Sequence, residues 1–362
     1  MKRVLITGGA GFIGSHLSDE LLAHGYRVRA LDSLVPEVHG EERARPEHLA
    51  EEVELVRGDV RDPAAVDGAL KGVDAVVHLA TRKSVDPGAD AAGSAVLLEV
   101  LRRKPVEKLI LGSSMSLYGE GRYRTVEGTV VEAQERTAEQ LQGGRWDPTG
   151  PEGEQLAPVP TPEEKLPALG AVEALGQYHQ EQACLTLGWA CGIPTVALRF
   201  FDVYGPRMAL GSPHAGVLAG FASRLLSGHA PRVLEDGLQQ RDLVSVHDAA
   251  RACRMALEAT VAADGVFNVG SGGSMTLRTV AAQMADALGR RELRPDITGH
   301  YRIGDVRHCF ADTTLAAKVL GFEAHLSFTE GLLELAEWLA RRRVEQRAAE
   351  LHARLDAGEL ST

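Results

Sequence analysis

KRVLITGGAGFIGSHLSDELLAHGYRVRALD, residues 2–32, is the stretch whose reading decides the fold. Val4 to Ile6 is a short apolar run with the character of a buried strand. Gly8, Gly11 and Gly14 follow at three-residue spacing, then Leu17, Leu21 and Leu22 recur with helical period before Tyr26 to Leu31 makes a second strand. Strand, glycine turn, helix, strand is half of a dinucleotide-binding unit. Glycine suits the turn because the chain must bend sharply, approach a pyrophosphate closely and let the helix pack on the sheet. The phosphate charge then meets free amides at the helix start. Asp32 stands at the end of the second strand, where a carboxylate can meet a ribose.

Moving outward, the alternation continues to about Ser114. VELVRGDVRD reads as a strand ending at Gly58-Asp59-Val60, residues 63–71 as a short helix and Asp74 to Ala80 as a fourth strand. Residues 89–103 read as a helix, and Lys108 to Gly112 as a strand ending in Ser113-Ser114. Apolar strand interiors between helices predict an α/β fold, a Rossmann-type parallel sheet covered on both faces. Residues 119–167 break the rhythm with Glu, Gly, Pro and Thr, and read as an insertion or lid with a helix over Val131 to Leu141. A helix from about Gly170 to Leu187 and a strand from Thr195 to Phe200 resume the sheet. The expected division is a nucleotide-binding domain over 1–200 plus 240–262, and a smaller interleaved substrate domain over 201–239 and 263–335. A helical extension follows over 336–362, with apolar residues recurring from Leu332 to Leu355 for docking on its own domain or, alternatively, for a homodimer contact.

The composition narrows the classes. A formal net charge of -11, from 39 basic and 50 acidic side chains, offers no general attraction for nucleic acid. Cys184, Cys191, Cys253 and Cys309 show no CxxC spacing and read as reduced thiols, so no metal site is expected. No apolar h-region precedes the first strand and no apolar run reaches membrane-spanning length, so the expected location is the cytoplasm.

Several blocks occur together: TGGAGFIG (7–14), GDVRD (58–62), HLA (78–80), SSMSLYG (113–119), GIPTVALRFFDVYGPR (192–207), QQRDLVSVHDAARA (239–252), NVGSG (268–272) and GDVRHCFAD (305–312). In this order they resemble the extended short-chain dehydrogenase/reductases, the NAD-dependent nucleotide-sugar epimerase/dehydratase family, over residues 2 to about 340. The resemblance implies that Gly8, Gly11, Phe12, Ile13 and Gly14 surround the pyrophosphate of NAD. It implies that Asp32 takes the adenosine ribose and repels a 2′-phosphate, that Asp59 and Val60 flank adenine, and that Leu79 and Ala80 line the middle of the cofactor.

The catalytic motif departs from the family. Members use a Ser/Thr with a Tyr-x-x-x-Lys pair, in which a tyrosine hydroxyl acidified by the lysine removes a proton from the sugar. Ser114, four residues before Tyr118, matches the Ser/Thr. In GAVEALGQYHQEQ (170–182) the Tyr position is Glu173 and the Lys position, which would also touch the cofactor, is Gln177. Tyr178 is rotated by roughly 100° from Gln177 around a helix and points elsewhere. Glu173, one turn before Gln177, is the candidate base, although an ordinary glutamate pKa of about 4.3 is low for the task. The loop between His78 and Asp90 is short, and Asp90 stands where the resemblance implies asparagine.

The resemblance further implies a UDP- or TDP-linked sugar held by Asp202, itself in place of an asparagine, with Arg207, Arg241 and Arg307 clamping the pyrophosphate. The plain alternative for each arginine is a structural ion pair. Cysteine-rich relatives of the 119–167 insertion look metal-binding, whereas this one has no cysteine. Three functions stay open: a nucleotide-sugar epimerase or dehydratase with altered acid–base groups, an inactive NAD-holding relative that serves as a structural or regulatory partner, and a non-redox step on a keto sugar using Glu173.

Overall fold

The computed structural model describes the backbone of every residue except 1, 41, 82–86, 171, 211–215, 261–263 and 357–362; side chains at 87–90, 173 and 343–356 are also outside the description. Seven strands form the main sheet: β1 (Arg3–Thr7), β2 (Arg27–Asp32), β3 (Glu54–Arg57), β4 (Ala75–His78), β5 (Lys108–Ser114), β6 (Thr195–Phe200) and β7 (Gly265–Val269). Their order is β7-β6-β5-β4-β1-β2-β3, and every pairing is parallel. The order reverses at β1, so the crevice beyond the strand ends opens beside the glycine turn.

Strand alternation assigns the two faces. Val4 and Ile6 enter one core with Leu17 and Leu21 of the first helix (Phe12–Ala23) and Ala249 and Cys253 of the helix Val246–Glu258. Leu5 enters the opposite core with Leu97 and Leu101 of the helix Pro87–Arg103 and Cys184 of the helix Val172–Cys191. Period two on the strand and period 3.6 on the helices therefore agree, which makes the pairing register unambiguous. A second core lies among the helices Gly216–Leu226, Leu277–Ala287 and Phe328–Asp356, through Leu218, Phe221, Val280, Met284, Leu332, Leu335 and Leu339. Phe12, at the start of the first helix, packs against this second core.

Three expectations need correction. Gly265–Val269, read with the substrate domain, pairs with β6 as the edge of the main sheet, because Phe267 and Val269 bury in its core. The insertion carries no helix over 131–141: Arg122–Thr125 lies between Val130–Val131 and Leu156–Val159 in a small antiparallel sheet, and a short helix spans only Ala138–Gln142, capped by Thr137. The helical extension is continuous with Phe328–Asp356, so its first turns belong to the second core; Val344, Ala348, Leu351 and Leu355 have side chains outside the description. Among the described residues no helix is long and apolar enough to cross a membrane.

The glycine turn depends on backbone touching backbone. Gly8 has a left-handed φ of 70°, and a Cβ there would lie 3.0 Å from the Ala80 backbone. A Cβ at Gly14 would lie 2.3 Å from the Gly8 carbonyl oxygen. In an ordinary helix Gly→Ala stabilises; here Gly14→Ala should destabilise by about 2 kcal/mol through overpacking. Denaturant unfolding checks this, and an unchanged or raised midpoint would refute the close-contact account.

Candidate active site

The cofactor end is built from the sheet's carboxyl edge. Gly11 precedes the first helix with no side-chain cap, so the first-turn amides at Phe12, Ile13 and Gly14 are not taken by a capping group and fit a phosphate. The buried Asp32 carboxylate accepts from Ala10 N at 3.0 Å and Leu34 N at 2.9 Å, which anchors it against the loop with lone pairs remaining for ribose hydroxyls. His39 Nε2 stands 3.6 Å from Asp32 Oδ1. Burial lowers the His39 pKa against the raising effect of Asp32, so the imidazole is a poor counter-charge at neutral pH. Leu79 N donates to Thr7 O and Ala80 N to Thr7 Oγ1, which sets the backbone opposite Gly8. Asp59 is forked by Arg61, and Val60 packs under Gly93 of the helix Pro87–Arg103. These residues fit a dinucleotide: the glycine cradle is a place that any Cβ would fill, and Asp32 is a buried acceptor at its rim.

Ser114 ends β5, and its Oγ accepts from Ser116 N at 3.1 Å, capping the short 3-10 turn Met115–Tyr118. Ser116 Oγ in turn donates to Gln177 Oε1 at 3.2 Å. The structure thus brings the uncharged amide of Gln177 beside the Ser114 turn. Glu173 lies one helical turn earlier; its side chain, like that of Asp90, is outside the described residues. Tyr178 instead lines an apolar groove with Leu98, Leu175 and Leu187 on the outer side of the same helix. Tyr118 is no substitute, because its buried hydroxyl donates to Asn268 Oδ1 at 2.7 Å and burial pushes its pKa far above the ordinary range.

Below this turn lies a buried ion pair that sequence reasoning missed. Glu181 accepts from Ser113 Oγ at 2.6 Å and from Arg199 Nε and Nη2 at 3.0 and 2.6 Å, and the guanidinium lies 4.8 Å from the centre of the Tyr118 ring. The available signal was an arginine inside the apolar strand TVALRF. Lys165 donates to Tyr118 O at 3.2 Å and pairs with Glu132 at 3.0 Å.

Residues 4–139 and 170–270 match the NAD dependent epimerase/dehydratase family. The chain belongs to that family. It is 31% identical over 354 residues to a dTDP-L-rhamnose 4-epimerase from Burkholderia thailandensis, covering 94% of this chain and 95% of the relative. The crystal structure of the Thermotoga maritima UDP-glucose 4-epimerase with UDP-glucose superposes with a TM-score of 0.75 at 28% identity, over 94% of this chain and 99% of that one. The Thermus thermophilus UDP-glucose 4-epimerase complex with NAD gives 0.70 at 30% identity, over 93% and 99%.

In this member of the family, the arginines expected to clamp the phosphates have partners within the protein. Arg307 is 1% exposed and bound to three carboxylates: Asp147 at 2.8 Å, Glu235 at 2.9 Å and Asp236 at 2.6 Å. Arg207 pairs with Asp19 of the first helix at 2.8 Å, which holds it on the cofactor side. Arg241 donates to the carbonyls of Gln240, Val306 and Arg307, and Asp202 lies 3.9 Å from its Nε. A carboxylate at 202 thus sits beside the arginine that sequence reading gives to phosphate. Arg302, five residues before Arg307, is exposed and has no side-chain partner among the described residues; its isolation could not be read from the sequence.

His78, at the end of β4, is fully buried among Thr7 Oγ1 at 2.6 Å, Gln180 Nε2 at 2.8 Å and Ser94 Oγ at 3.2 Å. Burial pushes it down to about 4. A histidine near 6.5 when unfolded therefore contributes stability that is present above pH about 6.5 and lost as pH falls towards about 4, because the unfolded chain binds the proton first. His78→Gln should flatten this acid limb of the stability–pH profile; denaturant unfolding between these pH values checks it, and a limb as steep as in the wild type would refute the assignment.

Proposed function

We propose that the protein binds NAD and a UDP- or TDP-linked sugar and works on that sugar as an epimerase or dehydratase whose proton acceptor is Glu173 in place of tyrosine. The observation that carries this reading is the Ser116–Gln177 hydrogen bond. It supports a helix face turned to the Ser114 turn, and position 173 is one turn away on that face. Gly8, Gly11, Phe12, Ile13, Gly14, Asp32, Asp59, Val60, Leu79 and Ala80 would hold the cofactor, which supplies a hydride acceptor when bound. Ser114 Oγ, having accepted one hydrogen bond, keeps its proton to donate to a sugar hydroxyl oxygen. Glu173 takes that hydroxyl's proton, and Gln177 orients the group as an amide without lending charge. Arg302 meets the sugar's pyrophosphate, with Arg241 and Asp202 as a mutually neutralised pair beside it.

A second reading is favoured by one observation: the ionisable groups around Ser114 are committed, Glu181 to Arg199, Tyr118 to Asn268 and Lys165 to Glu132. Under it the protein holds NAD and a nucleotide sugar without turnover, as a structural or regulatory partner. Incubating NAD-loaded protein with a panel of UDP- and TDP-sugars separates the readings. Reduced nicotinamide absorbance or an altered sugar is expected; an altered sugar with no reduced cofactor would mark a non-redox step. Silence across the panel with NAD bound would leave only the binding role.

Restoring the usual pair gives a sharper check. Glu173→Tyr combined with Gln177→Lys should raise turnover by about a hundredfold, the scale of a well-placed general base. Glu173→Gln alone should abolish turnover while NAD affinity stays unchanged. Turnover surviving Glu173→Gln would overturn the assigned base.

A further inference from the structure

We infer that the 119–167 insertion supplies part of the nucleotide site, with Trp146 and Tyr301 forming an aromatic platform for the base of a nucleoside diphosphate. This rests on the nucleotide-sugar reading above and extends it to a segment with no role there. Trp146 comes from the insertion and Tyr301 from the loop of the second unit that carries Arg302. Their ring centroids are 6.2 Å apart and inclined by 50°, a tilted contact rather than a face-to-face stack, and both residues keep part of their surface exposed. Both side chains are half-buried, yet neither belongs to any of the hydrophobic cores. Two large aromatics at a seam, outside every core, are placed for recognition rather than for packing.

The scaffold around them is over-determined. Arg136 Nη1 donates to Trp146 O at 3.0 Å and to Glu235 Oε1 at 2.7 Å, and its Nη2 donates to Asp305 O at 2.6 Å. Arg307 ties the next residue, Asp147, to Glu235 and Asp236. Glu120, also from the insertion, accepts from the backbone of Arg307 and His308 at 2.6 and 3.1 Å. On the other side, Glu235 N donates to His300 O at 2.8 Å, directly before Tyr301. The insertion is therefore fixed to the 235–236 and 300–308 segments by buried charges, and Trp146 is presented at a set position. Pre-organising a ring in this way lowers the entropy lost when a base stacks on it. Arg302 follows Tyr301 in the chain, is exposed and has no side-chain partner among the described residues, so it is available as a cation for the phosphates attached to such a base.

Calorimetric titration of UDP and TDP into the wild type, Trp146→Ala, Trp146→Phe and Tyr301→Ala tests this, with NAD affinity and the unfolding midpoint as controls. Trp146→Ala should weaken both nucleotides about tenfold and Trp146→Phe by less, with NAD affinity unchanged. In Trp146→Phe the quenching of intrinsic fluorescence by UDP should disappear, a readout that stands even if the alanine variant folds poorly. Wild-type nucleotide affinity in Trp146→Ala, or quenching that persists in Trp146→Phe, overturns the platform while leaving the nucleotide-sugar reading in place. Glucose 1-phosphate weakened as much as UDP would also overturn the assignment to the base. A wild type that binds neither UDP nor TDP overturns both.

Discussion

The backbone contact between the glycine turn and the ends of the neighbouring strands is the constraint on which the rest of the structure depends. Gly8 meets the Ala80 backbone and Gly14 lies against the Gly8 carbonyl, so no side chain fits between helix and sheet. That closeness points the first helix's uncapped amides into the crevice where the sheet order reverses. It also sends Phe12 outward onto the second core, so the glycine loop and the helices of that core share a packing surface. A rearrangement of either would be felt by the other through that ring.

Buried charge is the second organising feature, and it divides into two regions. The Glu181–Arg199 pair underlies Ser113 and the Tyr118 ring, where removal of one partner would strand a charge in the core at a cost of about 3–5 kcal/mol. The Arg136 and Arg307 network joins the insertion to the second unit. Both networks satisfy their own groups, so the ionisable side chains described around Ser114 are engaged with one another. The uncharged Gln177, bonded to Ser116, fits that pattern.

Much of the fold was legible because its determinants are local. The alternation of Val4, Leu5 and Ile6, the helical spacing of Leu17 and Leu21 and the three glycines each act over a few residues, and the packed sheet uses them as read. Gly265–Val269 was placed with the wrong unit because nothing in a five-residue apolar strand says which sheet it will join; that is settled by its partner, β6, some seventy residues away. The insertion misled for a related reason. A helix was expected at 131–141, whereas Val130–Val131 pairs back on Arg122–Thr125, which also takes the remote Leu156–Val159 on its other edge.

At the site, the sequence by itself determined which chemical groups are available: a glycine cradle, Asp32, Ser114, Glu173 and Gln177. Only the tertiary structure decided which charges are spent. Arg307 has the form of a phosphate ligand, but Asp147, Glu235 and Asp236 converge on it from remote positions, and a buried guanidinium must take such partners. Arg302 is equally basic in sequence and is left exposed beside Tyr301. The difference is one of burial, which is a property of the whole folded chain and is written in no single motif.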